Sequence, residues 1–549
     1  MSVFIGYPSF MAYQMMKGKK DNNDGFPSIA GMIARYSALG LTNEEMSKNP
    51  VWVDKTGNGH DLQMKNFAWS RMSGVGGYEM NFNLWSNNVP SISDISMSKT
   101  TTSVSVSVGN SAYNNNLIYI HKNNWDVNKN HWLKVASTYA DGDLAFIFYN
   151  DKNTKKIELP ANGYVNIPAY PEFKGSYMYI STTSNKQGSF TIEQLPLYPG
   201  ALVFDGVDDY GVCDNFPILT KEKGYTVVAL RQHLINTPTA YLTANGDSIE
   251  NSSFIMEGNK LTDTWNFGKP SAIQISRILA TQTSKQYDGV NLNIGTNTES
   301  SNLLLVSKWN VLYTKVVIWE LVYLDHDATE EELTKIKDYF VKTYPWLFFD
   351  QAWTVTGKTN EDEDRATIAN ITGNGNDLVL SNLGFVEGSG YNEEGEYAGY
   401  LVTDGVDDKI ASSAFEMGKD FTVVGEWKML PVSNYNFAGI VKSNNLYVYN
   451  SPSIGLTVFI RSNSIFDRVE GIKSLKAICS DGRVYGEDWT EYKLNSGTTV
   501  GANTALNLGF NGSNFTQMAF KNLGIYNNQL LSKEDSIKAY NYLQTLKAK

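Results

Sequence analysis

A chain that repeats itself must fold both copies alike, so an internal duplication limits the available folds more than any composition does. Residues Phe204 to Tyr210 read Phe-Asp-Gly-Val-Asp-Asp-Tyr, and residues Thr403 to Lys409 read Thr-Asp-Gly-Val-Asp-Asp-Lys. Each copy follows a short apolar step, Ala201-Leu202-Val203 and Tyr400-Leu401-Val402. Upstream, Asp54-Lys55-Thr56-Gly57-Asn58-Gly59-His60-Asp61-Leu62 is answered by Asn370-Ile371-Thr372-Gly373-Asn374-Gly375-Asn376-Asp377-Leu378. Gly-Asn-Gly permits positive φ twice and can turn one strand back on the next. Downstream, Tyr225-Thr226-Val227-Val228 matches Phe421-Thr422-Val423-Val424. Each copy then closes on a strand and one amphipathic helix. Thr329 and Ser532 stand at the N-caps, with acids three residues on at Glu332 and Asp535.

Spacing between these landmarks sets the organisation. From Asp205 to Thr329 is 124 residues and from Asp404 to Ser532 is 128, so the two downstream parts are nearly equal. Upstream they differ: 148 residues separate Gly57 from Asp205, but only 31 separate Gly373 from Asp404. The excess of 117 is the length of a domain, and a surface loop accepts such an insertion at little closure entropy. The insert has its own β pattern: Ser103-Val104-Ser105-Val106-Ser107-Val108 alternates strictly, and Leu144 to Tyr149 is aromatic and aliphatic. The expected division is an N-terminal arm 1–31, a discontinuous first domain 32–86 plus 200–345, an insert 87–199, and a second domain 346–549.

Composition agrees with β structure. Tyrosine, phenylalanine and tryptophan number 32, 25 and 12, and long apolar helical runs are few. The formal net charge is -11 and no basic block exceeds Lys17-Gly18-Lys19-Lys20, so a nucleic-acid partner is not expected. Cys213 and Cys479 cannot build a disulfide framework and read as reduced structural thiols. The apolar start, Met1 to Met16, has no preceding basic residue and is broken by Pro8, unlike a secretory signal. No run approaches a membrane span. Synthesis in a host cytoplasm is the expectation.

The order Gly-Asn-Gly-x-Asp-Leu, Asp-Gly-Val-Asp-Asp, strand and capped helix resembles the laminin-G-like, concanavalin-A-type jelly-roll family. The resemblance covers about 34–86 plus 200–345, and 346–549. It implies an all-β fold: two jelly-roll sandwiches in tandem, each of two curved antiparallel sheets packed face to face, the first carrying an inserted small β-sandwich. Tandem versions with such an insert also look similar to structural proteins of tailed phages that infect gut bacteria.

The acids Asp205, Asp208, Asp209, Asp404, Asp407 and Asp408 are candidate calcium ligands, since hard cations take carboxylate oxygens. Their spacing is not an EF-hand loop. The preferred reading of the pattern is a tight turn in which Asp caps backbone N–H groups, Gly takes positive φ and Val enters the core. No other cofactor pattern occurs. Alternating Glu-x-Asp-x-Glu acids, which would place two carboxylates on one strand face for glycoside hydrolysis, are absent. Glu361-Asp362-Glu363-Asp364 reads as a solvated loop. His60, His121, His131, His233 and His326 are scattered, and neither a nucleophile elbow nor a phosphate loop is found. Trp125, Trp132, Tyr177 and Tyr179 of the insert are candidate sugar platforms, although in an aromatic-rich β protein most rings belong to cores. The sequon Asn251-Ser252-Ser253 matters only in a secreted chain.

These readings predict a non-enzymatic virion component: a capsid decoration, head fibre or tail accessory protein. Its partners would be other virion proteins, further copies of itself, and a glycan or other ligand on the host surface. A glycan-binding adhesin is the alternative, and a divergent glycoside hydrolase a third reading.

Overall fold

The computed structural model describes residues 24–548 except 88–94, 110–115, 128–130, 151, 168–169, 183–186, 219–224, 235–239, 246–253, 260–271, 279–285, 288–289, 295–301, 310, 374, 431–438, 443–445, 452–454, 461–466, 469–474, 495–501 and 511–514. Most of the N-terminal arm and the Asn251 sequon fall outside the described residues. The chain is an all-β protein of antiparallel sheets with three α-helices among the described residues: α1 (Asn43–Lys48), α2 (Glu330–Thr343) and α3 (Lys533–Gln544). It divides into two compact units. Among the described residues, one draws on 24–77, 200–259 and 272–343, the other on 78–199 and 344–548.

The first unit is a two-sheet sandwich. One sheet runs Ala272–Ile278, Tyr225–His233, Lys315–Leu324, Leu202–Asp205, Gly74–Val75, with Met32–Ser37 also paired to Lys315–Leu324. The facing sheet contains Val51–Trp52, Leu62–Lys65, Tyr210–Cys213, Leu304–Val306 and Ala240–Asn245 in that order, with further strands beyond. Leu62-Gln63-Met64-Lys65 alternates buried and exposed, which is why one face can enter the core and the other meet water. Leu62, Met64, Leu304 and Val306 meet Phe204, Val227, Val316 and Ile318 between the sheets. Beyond the core, Arg35 pairs with Glu320 at 3.2 Å and donates to the Tyr339 hydroxyl of α2 at 2.8 Å. Its guanidinium also lies 4.0 Å from the Phe26 ring centroid.

The second unit holds two sandwiches. In the insert, Thr154–Leu159, Leu144–Tyr149, Tyr177–Thr182, Asn116–Ile120 and Ser86–Asn87 form one sheet, and Asn162–Ile167, His131–Ser137, Gly188–Gln194, Ser103–Val108 and Ile95–Lys99 the other. The Ser/Val alternation puts Val104, Val106 and Val108 inward against Ile118, Phe146 and Ile180. In the second repeat, Phe421–Met429 and Met518–Asn527 are central in one sheet, with Leu378–Ser381 and Lys409–Met417 in the other.

The two repeats correspond bond by bond. Asp54 Oδ1 accepts from the Arg35 and Thr56 N–H groups, as Asn370 Oδ1 does from Ala352 and Thr372. The Asn43 amide brackets Val75, and Asn360 brackets Tyr391 in the same way. Thr226 Oγ1 donates to the His326 carbonyl and accepts from Ala328 N, as Thr422 does with Gln529 and Leu531. Thr329 and Ser532 cap α2 and α3, accepting from the N–H groups of Glu332 and Asp535. Gly57, Gly59, Gly373 and Gly375 all hold positive φ. One hairpin differs only in what closes it. Gly390–Asn392 pairs with Tyr400–Val402 through a short loop. Its counterpart pairs Gly74 with Val203 and Val75 with Leu202, and the Gly76 N–H reaches the Ala201 carbonyl at 2.8 Å. The loop of that second hairpin is the whole segment Tyr78–Pro199.

Candidate functional site

In both Asp-rich turns the first acid turns the chain and the last ties it down. Asp205 Oδ1 accepts from the Val207 N–H at 2.7 Å and the Asp208 N–H at 3.4 Å. Asp209 is buried; its Oδ2 accepts from the Asp205 N–H at 3.0 Å and its Oδ1 from the Ser73 hydroxyl at 3.0 Å. Asp404, Asp407, Asp408 and Ser389 repeat the arrangement. Gly206 and Gly405 sit at φ 77° and 75°. One expectation is corrected: Val207 and Val406 do not enter the core but stand 71% and 70% exposed. The turn points its third residue outward, and the strands on either side supply the apolar contacts instead. Within each triplet an oxygen from every acid lies within 4.8 Å of the others; the bonds above fix the carboxylates of Asp205 and Asp209, and of Asp404 and Asp408, while Asp208 and Asp407 enter them through their backbone N–H groups. Burial is the largest influence on Asp209 and pushes its carboxyl up to about 7, against the two hydrogen bonds it accepts. Asp408 is raised for the same reason.

The four aromatic candidates of the insert separate into three environments. Trp125 is in the core, 4.6 Å from Phe146 and 4.2 Å from His131 between centroids. Trp132 is half-buried against the second repeat: its ring lies 5.5 Å from that of Tyr540 in α3, and Lys476 Nζ is 5.3 Å from its centroid. Tyr177 and Tyr179 point outward from the Leu144–Tyr149 and Tyr177–Thr182 sheet and are joined by Tyr119 and Tyr149. Strand register produces the cluster. Tyr179 is paired with Tyr119 on one side and Ile147 on the other, and Tyr177 with Tyr149. Ser86 lies beyond Tyr119, Lys156 beyond Ile147, and Thr154 beyond Tyr149. Tyr119 is 5.9 Å from Tyr177 and 5.7 Å from Tyr179 between centroids, with planes tilted by 44° and 56°. Tyr177 is 52% exposed and Tyr149 44%. Partial burial, and then the neighbouring phenols, raise the Tyr119 and Tyr179 hydroxyls above the usual tyrosine value, so both remain protonated hydrogen-bond donors at neutral pH.

Sequence reasoning found half of this face. The spacing Tyr177-x-Tyr179 puts two rings on one side of a strand. Tyr119 and Tyr149 lie 58 and 28 residues upstream of Tyr177, and only register assembles them.

A second constellation was not legible at all. Glu426, buried on the outer face of its sheet, accepts from the Tyr400 hydroxyl at 2.5 Å and the Tyr540 hydroxyl at 2.8 Å. Lys476 Nζ lies 3.9 Å and Lys521 Nζ 3.8 Å from its oxygens. Burial opposes the charge, but the two lysines and two phenols outweigh it and bring the Glu426 carboxyl down to about 2. The cluster meets Trp132 through Tyr540 and Lys476, so it sits where the insert and the second repeat join.

No family model matches the chain, and no curated protein matches it. Solved structures do. A Trypanosoma rangeli sialidase in complex with sialic acid is 9% identical, with 83% of this chain and 85% of that chain covered, at a TM-score of 0.25. The binding domain of botulinum neurotoxin serotype D is also 9% identical, over 59% of this chain and 89% of that chain, at 0.21. A structure of botulinum neurotoxin type C, whose cell entry is described as dependent upon interaction with two ganglioside molecules, is 10% identical over 58% of this chain and 88% of that chain, at 0.19. At these scores no residue, ligand or activity passes from them to this chain. They do correct one expectation. Local pattern places the chain outside the enzymes, whereas sialidases stand among its structural neighbours, and that placement is withdrawn. Local patterns register acids close in sequence; Tyr400, Glu426, Lys476 and Tyr540 show how titratable groups from distant segments gather unseen.

Proposed function

We propose that this chain is a surface component of a phage particle, a capsid decoration, head fibre or tail accessory, that engages glycans through the tyrosine face of its insert. The observation that carries the glycan reading is the outward cluster of Tyr119, Tyr149, Tyr177 and Tyr179. Aromatic rings with a polar edge suit ligands that present C–H faces and hydroxyls together. The face is built on paired strands, so the rings are positioned before a ligand arrives and little ordering cost attends binding. The particle assignment rests on the likeness of the tandem layout to phage structural proteins. It entails partners among other virion proteins or further copies of this chain.

Mass spectrometry of purified particles tests the location: the protein is expected at stoichiometric abundance, and its absence removes the virion assignment. A glycan array probed with the full chain tests the other half. Binding that is lost on Tyr177→Ala, with the fold retained by circular dichroism, is the expected result. An array without signal removes the glycan reading.

A further inference from the structure

We infer that the ligand of the tyrosine face is an uncharged saccharide of at least two units; this deepens the glycan reading above and rests on it. The two outward rows run Ser86, Tyr119, Tyr179, Ile147, Lys156 and Tyr177, Tyr149, Thr154. Between their ends they contain no charged side chain. Lys156 closes one row, and its ammonium is paired with Glu158 at 3.1 Å. A sialylated, uronic or sulfated glycan needs a cation to meet its anion, because an anion on an apolar surface keeps its desolvation cost uncompensated. The chain as a whole, at formal net charge -11, also repels polyanions at a distance.

What the rows do offer fits an uncharged sugar. The face of a phenol ring is electron-rich and attracts the slightly positive C–H groups on the apolar side of a pyranose. The hydroxyls of Tyr119 and Tyr179, held protonated, can donate to sugar oxygens and accept from sugar hydroxyls. Ring geometry sets the size. Tyr119 is tilted by 44° to Tyr177 and by 56° to Tyr179. One flat pyranose cannot lie parallel to two planes so inclined, so full use of the face takes two sugar units whose rings are turned relative to each other. A twisted or branched chain meets that demand better than a flat ribbon.

The test is isothermal titration of the full chain with uncharged gluco-, manno- and galacto-oligosaccharides and, separately, with sialylated, uronic and sulfated ones. Each series is run at about 50 and about 500 mM NaCl, a range that collapses the screening length. Expected are binding to an uncharged oligosaccharide but not to its monosaccharide, and an affinity that changes less than about twofold with salt. Tyr177→Ala and Tyr149→Ala, both at exposed positions, each weaken it by roughly tenfold, and Lys156→Ala leaves it unchanged. Binding confined to charged glycans, steep weakening with salt, or loss on Lys156→Ala overturns the uncharged class while leaving a glycan site standing. Failure of every glycan removes both readings, and co-purification of a protein that Tyr177→Ala releases would then assign the face to protein docking.

Discussion

Tyr400 and Tyr540 grip the same carboxylate: one phenol reaches Glu426 Oε1 at 2.5 Å and the other reaches Oε2 at 2.8 Å. Tyr400 comes from a strand of the second repeat and Tyr540 from α3, so the acid joins helix to sheet. Two lysines balance it. A buried charge with partners on every side contributes little net stability while the set is whole, but it leaves several groups stranded when one member is removed.

Glu426→Ala is therefore expected to destabilise the second unit by about 3–5 kcal/mol, seen as a lower urea midpoint of the transition reported by its tryptophans. Glu426→Gln keeps the phenol contacts but strands the lysine charges. The folded carboxyl titrates at about 2, below the ~4.3 of an unfolded glutamate. The advantage of wild type over Glu426→Gln is thus fully present above that upper value and is lost as pH falls through the lower one. A difference independent of pH across this window counts against an ionised Glu426.

Asp209 behaves with the opposite sign. Its folded carboxyl lies at about 7, above an unfolded value of ~3.9, so between these limits the folded chain binds the proton more tightly. Stability from this group is present at the acid end and declines as pH rises through the window. Melting temperatures of wild type and Asp209→Asn, taken at intervals across it, should show the slope reduced in the variant. Identical slopes would place the origin of any pH dependence elsewhere.

Trp132 of the insert packs its ring against Tyr540 of α3, 5.5 Å between centroids. Truncation to alanine is expected to cost about 2 kcal/mol. Hydrogen exchange should quicken both in His131–Ser137 and in Lys533–Gln544. Exchange that quickens in the strand alone would show that the two sandwiches are held together by other contacts.

Gly405 holds φ at 75°, and a Cβ there would meet Gln517 N at 2.9 Å. Gly405→Ala is expected to destabilise the second repeat by about 1–3 kcal/mol, measured by urea denaturation. Gly206→Ala should act alike in the first repeat, where the new carbon would meet Lys315 N at 2.8 Å. A silent Gly405→Ala would show that the turn can relax away from its strand.

What sequence made legible here is local chemistry used twice. The Gly-Asn-Gly turns, the Asp-led turns and the caps at Thr329 and Ser532 each bond within a few residues of themselves, so their residue types announce them. Val207 shows the limit of that reasoning, because the turn type was recognised but not which way its third side chain points. Glu426 shows the larger limit. It sits in the run Phe421 to Met429, and its partners lie 26, 50 and 114 residues away in Tyr400, Lys476 and Tyr540. Tyr119 and Tyr149 needed the register of three strands before they could be placed beside Tyr177.

The hairpin that carries the insert has its stem already zipped on the near side, at Gly76 and Ala201. Whatever occupies the loop must therefore begin and end about one strand spacing apart, ~5 Å, and the stem imposes no further demand on it. Domains with neighbouring termini meet that condition widely. The position works as a socket. A lineage that exchanged the occupant would replace the exposed tyrosine face in one step and leave the stem pairing untouched, with the new occupant obliged to find its own substitute for the contact Trp132 makes with Tyr540.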